Sequence, residues 1–267
     1  MTVATGANDV VLLDMALDSF DDQYRGCGPA MTAALPALNR SEFQKNPLFA
    51  QVWGKAAAEW QRRGPRDSPL SPEQAIAIIT YAMDDVHSVF NDAVRVAGRS
   101  PQEYRDNFHF KTLHFLLTDA LVTLRDALAL IVQCQDVHQK VCGVRFEAKR
   151  GNTIRFGQFM PVSLIKPTAQ CSGKETVFQV HTCHAMEITF ISRHLTSWGV
   201  LIPPFETFEV TQVTETGDKT VIQLQSNGTY SKYNCEWLKG GSSPSTPFHL
   251  GGFLLATTAL AVATGIL

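Results

Sequence analysis

The sequence predicts an α+β fold, a helical N-terminal half followed by a mostly antiparallel β half. Two observations predict the order of the elements. Leu113, Leu117, Leu121, Leu124, Leu128 and Ile131 repeat with a period near 3.6 across 108–131, and after Cys134 the period drops to two. A third bears on domain count: no internal repeat and no linker divides the first 239 residues, so both halves belong to one domain.

In chain order, residues 1–9 carry neither a basic stretch nor an apolar run. Residues 1–13 are therefore read as a lead from which a signal peptide is missing, and residues 14–239 as the domain. Turn chemistry and a short amphipathic stretch occupy 14–34, and a helix carrying Phe43, Phe49, Trp53 and Trp60 is expected over 42–63. Ser71-Pro72-Glu73 is a helix start: a capping hydroxyl, a proline where no N–H is needed, and acidic charge in the first turn. The leucine stripe of 108–131 is core and not a site. Val144, Phe146 and Ala148 then alternate with Arg145, Glu147 and Lys149, and after Arg150-Gly151-Asn152 the pair Ile154 and Phe156 flanks Arg155. Arg145 and Arg155 are expected to face solvent. Further strands are expected around Phe178, Phe208 and Val221, with a hairpin turn at Thr216-Gly217-Asp218-Lys219 and the last structured stretch over 233–238.

Composition narrows the function. Charged residues are 18% and hydrophobic ones 45% of the chain, in the globular range, and the net charge is −2. No basic block interleaves with aromatics, which argues against nucleic acid. The six cysteines, Cys27, Cys134, Cys142, Cys171, Cys183 and Cys235, form no C-x-x-C pair, so no metal site is expected. They suit either buried thiols or long-range disulfides of an oxidising compartment. Asn39-Arg40-Ser41 and Asn227-Gly228-Thr229 are glycosylation acceptors in turn-like surroundings. Residues 240–267 have the order of a GPI-attachment signal: small residues at 240–243, a mostly polar spacer, and an uncharged apolar tail at 253–267. Fifteen residues rise about 22 Å as a helix, short of a hydrocarbon core about 30 Å thick. A lipid anchor on the extracellular face of the plasma membrane is the expectation.

Five segments resemble the vertebrate ecto-mono-ADP-ribosyltransferases, and they run in that family's order across residues 12–239. They are Asp18-Ser19-Phe20-Asp21-Asp22-Gln23-Tyr24 with Cys27; the stretch from Phe108-His109-Phe110-Lys111 to Leu117-Thr118; Ile154-Arg155-Phe156-Gly157-Gln158-Phe159; Val200-Leu201-Ile202-Pro203-Pro204-Phe205-Glu206; and Tyr233-Asn234-Cys235-Glu236. The resemblance implies the disulfides Cys27–Cys235 and Cys134–Cys183, with Cys142 and Cys171 paired or free. It also implies transfer of ADP-ribose from NAD, as substrate, to a protein arginine.

Breaking the nicotinamide–ribose bond passes through an oxocarbenium-like transition state that needs fixed negative charge and hydrogen bonds. The family supplies an Arg that grips the dinucleotide, a Ser that braces the site, and a Glu-x-Glu pair before Val-Leu-Ile-Pro-Pro. Carried over position by position, these places are Gln139, Pro161 (with Ser163 two residues on), Ser197 and Gly199. Gln139 and Ser163 keep some hydrogen-bonding capacity toward NAD, but the cation, the first hydroxyl and both carboxylates are gone. His138 and Lys140 flank Gln139 on the opposite strand face, and Glu187 is read as a surface carboxylate. Two functions remain open: an arginine-specific transferase with weak or lost activity, or a non-catalytic surface protein that offers the fold to an unknown partner.

Overall fold

The computed structural model describes residues 10–63, 68–128, 134–192 and 198–240. Six helices come first: α1 (Gly28–Lys45), α2 (Pro47–Arg63), α3 (Pro72–Ala82), α4 (Asp84–Ala97), α5 (Pro101–Asn107) and α6 (Lys111–Ala127). The strands β2 (Gln135–Cys142), β3 (Arg145–Glu147), β4 (Thr153–Ile154), β5 (Met160–Val162), β6 (Glu175–Thr182), β7 (Met186–Glu187), β8 (Val200–Ile202), β9 (Glu206–Thr216) and β10 (Lys219–Thr229) follow. The short helices α7 (Thr189–Ser192) and α8 (Glu236–Gly240) complete the second half, and one strand, β1 (Val10–Leu12), precedes all the helices.

The expected α+β order holds. Ser71 caps α3, accepting from the Gln74 N–H, while the Gln74 side chain accepts from the Ser71 N–H at 2.8 Å, a full capping box. Leu113, Leu117, Leu121 and Leu124 are buried on α6 as the stripe requires; Ile131 lies outside the described residues. The β9–β10 hairpin turns at Gly217-Asp218, with Gly217 at φ +60°.

Four local expectations are corrected. The helix expected over 42–63 breaks at Asn46, whose side chain caps α2 by accepting from the Phe49 N–H at 3.0 Å. Asn39 lies inside α1 and not in a turn, because Met31, Leu35, Leu38 and Glu42 bury one face of a continuous helix. Asn39 itself is half-buried, whereas Asn227 is exposed on β10 beside a bulge. The lead of 1–13 already contains β1, which pairs in parallel with β3 through Val10 and Arg145; three residues are too few to show alternation. Arg155 is buried rather than solvated.

The molecule is layered. A five-stranded sheet, β2-β6-β10-β9-β4, lies on one side, with β6 and β10 parallel and the other pairs antiparallel. The small sheet β5-β8-β7 lies between it and the helices. β8 shows why all its residues are apolar: Leu201 packs into the helical core, while Val200 and Ile202 pack toward the large sheet.

The segments that carried the family resemblance hold the layers together. Asp21 accepts from the N–H groups of Lys232 and Tyr233 and pairs with Arg155 at 2.5 Å. Asp22 accepts from the N–H groups of Tyr24, Cys235 and Glu236. Glu42 closes the start of α6, accepting from Lys111 and Thr112 N–H at 2.6 and 2.9 Å. Glu206 accepts from Thr182 Oγ1, Ser226 Oγ and the N–H groups of Cys183 and His184, pinning the turn after β6. Burial pushes the pKa of Asp22, Glu42 and Glu206 up against these hydrogen bonds.

Three disulfides cross-link the domain: Cys27–Cys235, Cys134–Cys183 and Cys142–Cys171. The first two are the pairs implied by the resemblance, and the third resolves the remaining cysteines. No helix among the described residues is long and apolar enough to cross a membrane. α8 runs to Gly240, two residues past the expected end of structure; the rest of the stretch expected to be an attachment signal, 241–267, lies outside the described residues.

Candidate functional site

The site positions converge where β2 meets the small sheet. His138 N–H donates to the Ser163 carbonyl at 2.7 Å and Ser163 N–H returns to the His138 carbonyl at 2.9 Å. Gly199 N–H donates to the Val162 carbonyl at 3.3 Å, and Ile188 N–H to the Gly199 carbonyl at 2.8 Å. Main-chain bonds thus bring Gln139, Pro161, Ser163 and Gly199 to one corner. Ser197 lies outside the described residues.

Gln139 shares its strand face with the buried Val137 and Val141 and looks toward α4. His138 and Lys140 point the other way, as expected. His138 lines a groove on the outer face of the large sheet, and Lys140 sits 3.6 Å from Glu175. Burial, with the Lys166 charge, holds the His138 ring below its ordinary pKa. Glu187 is exposed and accepts from Thr189 Oγ1, so it is not directed into the corner as a substitute carboxylate.

Gln139 and Pro161 line one small cavity with Asn91 and Arg95 of α4 and Gln158 and Met160. It encloses about 20 Å³, room for a single water. Asn91 Nδ2 donates to the Phe159 carbonyl at 2.9 Å and Tyr81 Oη to the same oxygen at 2.8 Å, clamping α3 and α4 onto the start of β5. Asn91 Oδ1 is buried without a partner and lines the cavity, so a hydrogen-bond donor, water or ligand, would complete it.

Arg95 is the residue the sequence reading missed. Its guanidinium donates to Gln158 Oε1 and to Asp92, a strut across the cavity from α4 to the segment before β5. Asn91 and Arg95 stand four apart on one helix face, but that spacing alone does not point to Gln139. Arg95 is a cation beside Gln139, but its partners hold it.

Ser163 Oγ accepts from the Ile165 N–H at 3.1 Å, so part of its capacity serves the local turn. Cys134, Cys183 and His181 place their sulfur and nitrogen atoms within 4.8 Å of one another, but the two sulfurs are bonded to each other and offer no thiolate to a metal.

A sequence profile of the NAD:arginine ADP-ribosyltransferases matches residues 13–232. The chain belongs to that family. It is 47% identical over 233 residues to an erythroblast NAD(P)(+)–arginine ADP-ribosyltransferase of Gallus gallus, covering 86% of this chain and 77% of the relative. It is 40% identical over 274 residues to the GPI-linked NAD(P)(+)–arginine ADP-ribosyltransferase 1 of Homo sapiens, covering 96% and 84%. The crystal structure of the eukaryotic mono-ADP-ribosyltransferase ART2.2 superposes with a TM-score of 0.71 at 29% identity, covering 84% of this chain and 98% of the other. Variants of ART2.2 have been solved with NADH and with NAD bound. Within this ADP-ribosyltransferase fold, the corner of Gln139, Pro161 and Gly199 is the candidate NAD cleft.

Proposed function

We propose that this ADP-ribosyltransferase is a GPI-anchored protein of the extracellular surface whose transfer of ADP-ribose from NAD to protein arginine is weak or lost. One observation carries the reading: Gln139, Pro161 and Gly199 meet at one corner, where they offer no free cation, no hydroxyl at 161 and no carboxylate at 199. Removing one stabilising group from such a site typically costs on the order of 10²–10³ in rate, and here three are absent. The test is incubation of the purified protein with labelled NAD and a small guanidino acceptor. Transfer at a rate ordinary for an enzyme, roughly 1 s⁻¹ or more, would overturn the reading.

The second reading is a non-catalytic surface protein that binds a partner through the fold. The Arg95 strut favours it, because its bonds to Gln158 and Asp92 leave room for about one water beside Gln139. Failure of NAD to bind in equilibrium dialysis would favour this reading over a slow enzyme. The anchor is supported by the residue order of 240–267 and by the GPI-linked name of the human relative. It predicts release from cells by a phosphatidylinositol-specific phospholipase, and retention after complete digestion would refute it.

A further inference from the structure

A second cavity, of about 360 Å³, lies between the segment leading into α1, the second half of α6 and the turn after β6, and shares no lining residue with the candidate NAD cleft. Its size is within the range of small-molecule sites. We propose that it binds a phosphate monoester whose carrier bears hydroxyl groups, of which a sugar phosphate is the simplest.

The phosphate end is set by donors from three directions. Arg25 and Arg125 both line the cavity. Arg25 spends Nη2 on Gln23 Oε1 and Thr229 Oγ1, which leaves Nε and Nη1 for a ligand. Arg125 Nη1 donates to His184 Nδ1 at 3.2 Å, so the ring proton sits on Nε2 as a further donor. Asp126 contacts the same guanidinium only at 3.3–3.4 Å. Burial, then the charges of Arg125 and Arg25, hold His184 below its ordinary pKa and keep the ring neutral. The third direction is the segment 23–26, which lines the cavity and leads into α1, an eighteen-residue helix whose positive N-terminal end has no side-chain cap. Two guanidiniums and an imidazole N–H beside a helix terminus make a wide set of charge-assisted donors that suits the three terminal oxygens of a phosphate monoester.

Independent of these charges, Thr118 is 1% exposed, lines the cavity, and its Oγ1 has no hydrogen-bond partner. A buried hydroxyl is seldom left so without a ligand or water to meet it. Asp119 beside it accepts from Gln74 Nε2 at 2.7 Å through Oδ2, leaving Oδ1 as an acceptor. A carboxylate would repel a bare phosphate, and it is the natural acceptor for a carrier hydroxyl. Thr118 and Asp119 therefore select the ester over the free ion.

The test is isothermal titration of the purified protein with glucose 6-phosphate, inorganic phosphate and glucose, with ¹⁵N NMR of the histidine rings alongside. Saturable binding of glucose 6-phosphate is expected, weaker binding of inorganic phosphate, none of glucose, and a shift of the His184 Nε2 resonance. Arg25→Gln and Arg125→Gln should each weaken glucose 6-phosphate by about tenfold or more, and Thr118→Val by several fold. The proposal is overturned if neither phosphate binds, if inorganic phosphate binds and the ester does not, or if binding survives Arg25→Gln combined with Arg125→Gln. The His184 resonance reports on wild-type protein, so a variant that misfolds does not blunt the test.

Discussion

Gly199 faces the side chain of Thr189 so closely that a Cβ at position 199 would fall 2.4 Å from Thr189 Cγ2. A carboxylate side chain would not fit at this position by simple addition, because the space next to the backbone is taken by a methyl group. Gly199→Glu alone should leave arginine transfer at background and should lower stability by about 1–3 kcal/mol through overpacking. Thr189→Ser removes the methyl but keeps the hydroxyl that donates to Glu187, and should restore most of that stability. Activity should rise only when Gln139→Arg and Pro161→Ser are added, and by more than the separate gains, since groups acting on one bound NAD are strongly non-additive. Steady-state rates on NAD with a guanidino acceptor check this. A single Gly199→Glu variant as fast as the combined one would show an otherwise intact site.

The Arg155–Asp21 pair is a stability determinant. Both side chains are 0% exposed, and Arg155 also donates to the carbonyls of Met15, Ala16 and Tyr230 at 2.7–3.1 Å. Asp21→Ala would strand a buried guanidinium and leave the N–H groups of Lys232 and Tyr233 without their acceptor. A loss of about 3–5 kcal/mol is expected in urea denaturation, with a C-terminal segment that becomes protease-sensitive first. Loss of under about 1 kcal/mol would mean that the three remaining carbonyl acceptors suffice for the Arg155 guanidinium.

The contrast between Arg155 and α3 shows what the sequence makes legible. Ser71, Pro72 and Gln74 act within four residues, so the helix start could be read directly. The β9–β10 turn is equally local. Arg155 looked like the polar member of an alternating strand, because its partner Asp21 is 134 positions away and nothing local encodes a buried pair. Asn39 misled in the same way: the sequon is three residues, but the helix that holds it is set by Met31 through Glu42. At the site, Gln139, Pro161 and Gly199 were singled out only through the family resemblance, and main-chain bonds bring their segments to one corner. Arg95 was not singled out, since its relation to Gln139 exists only once α4 packs over β5.

Disulfide removal should rank by loop length. The bridges span 208, 49 and 29 positions for Cys27–Cys235, Cys134–Cys183 and Cys142–Cys171. Chain entropy gives about 5, 4 and 3.5 kcal/mol respectively at 25 °C. Paired Cys→Ser variants compared by urea denaturation test the order, after non-reducing peptide mapping has verified the pairs. The first bridge should exceed its entropic value, because Cys235 N–H and Glu236 N–H both rely on Asp22 as acceptor and their segment is held at Cys235. A Cys142–Cys171 variant as damaging as the Cys27–Cys235 variant would contradict this account.

His114 should give the domain an acid-sensitive limb. It is fully buried on α6, its Nε2–H donates to the Phe20 carbonyl at 3.2 Å, and its Nδ1 accepts from Tyr24 Oη at 2.8 Å. Burial pulls its pKa from 6.5 down to about 3. The unfolded chain therefore binds a proton here between pH 6.5 and 3 that the folded chain refuses. The stability contributed by the neutral ring is whole above pH 6.5 and is lost progressively as pH falls toward 3, at up to about 1.4 kcal/mol per pH unit. Asp22, Glu42 and Glu206 act with the opposite sign: their folded-state pKa values are raised, so protonation on acidification favours the fold and partly masks the limb. The difference between wild type and His114→Phe isolates the histidine, because the carboxylates are common to both. The variant loses the Tyr24 hydrogen bond and should be less stable at pH 7, and that deficit should shrink steadily as pH is lowered from 6.5. Urea denaturation at intervals between pH 7.5 and 4.5 measures it, and a deficit that stays constant across that range would show that His114 is not the titrating group.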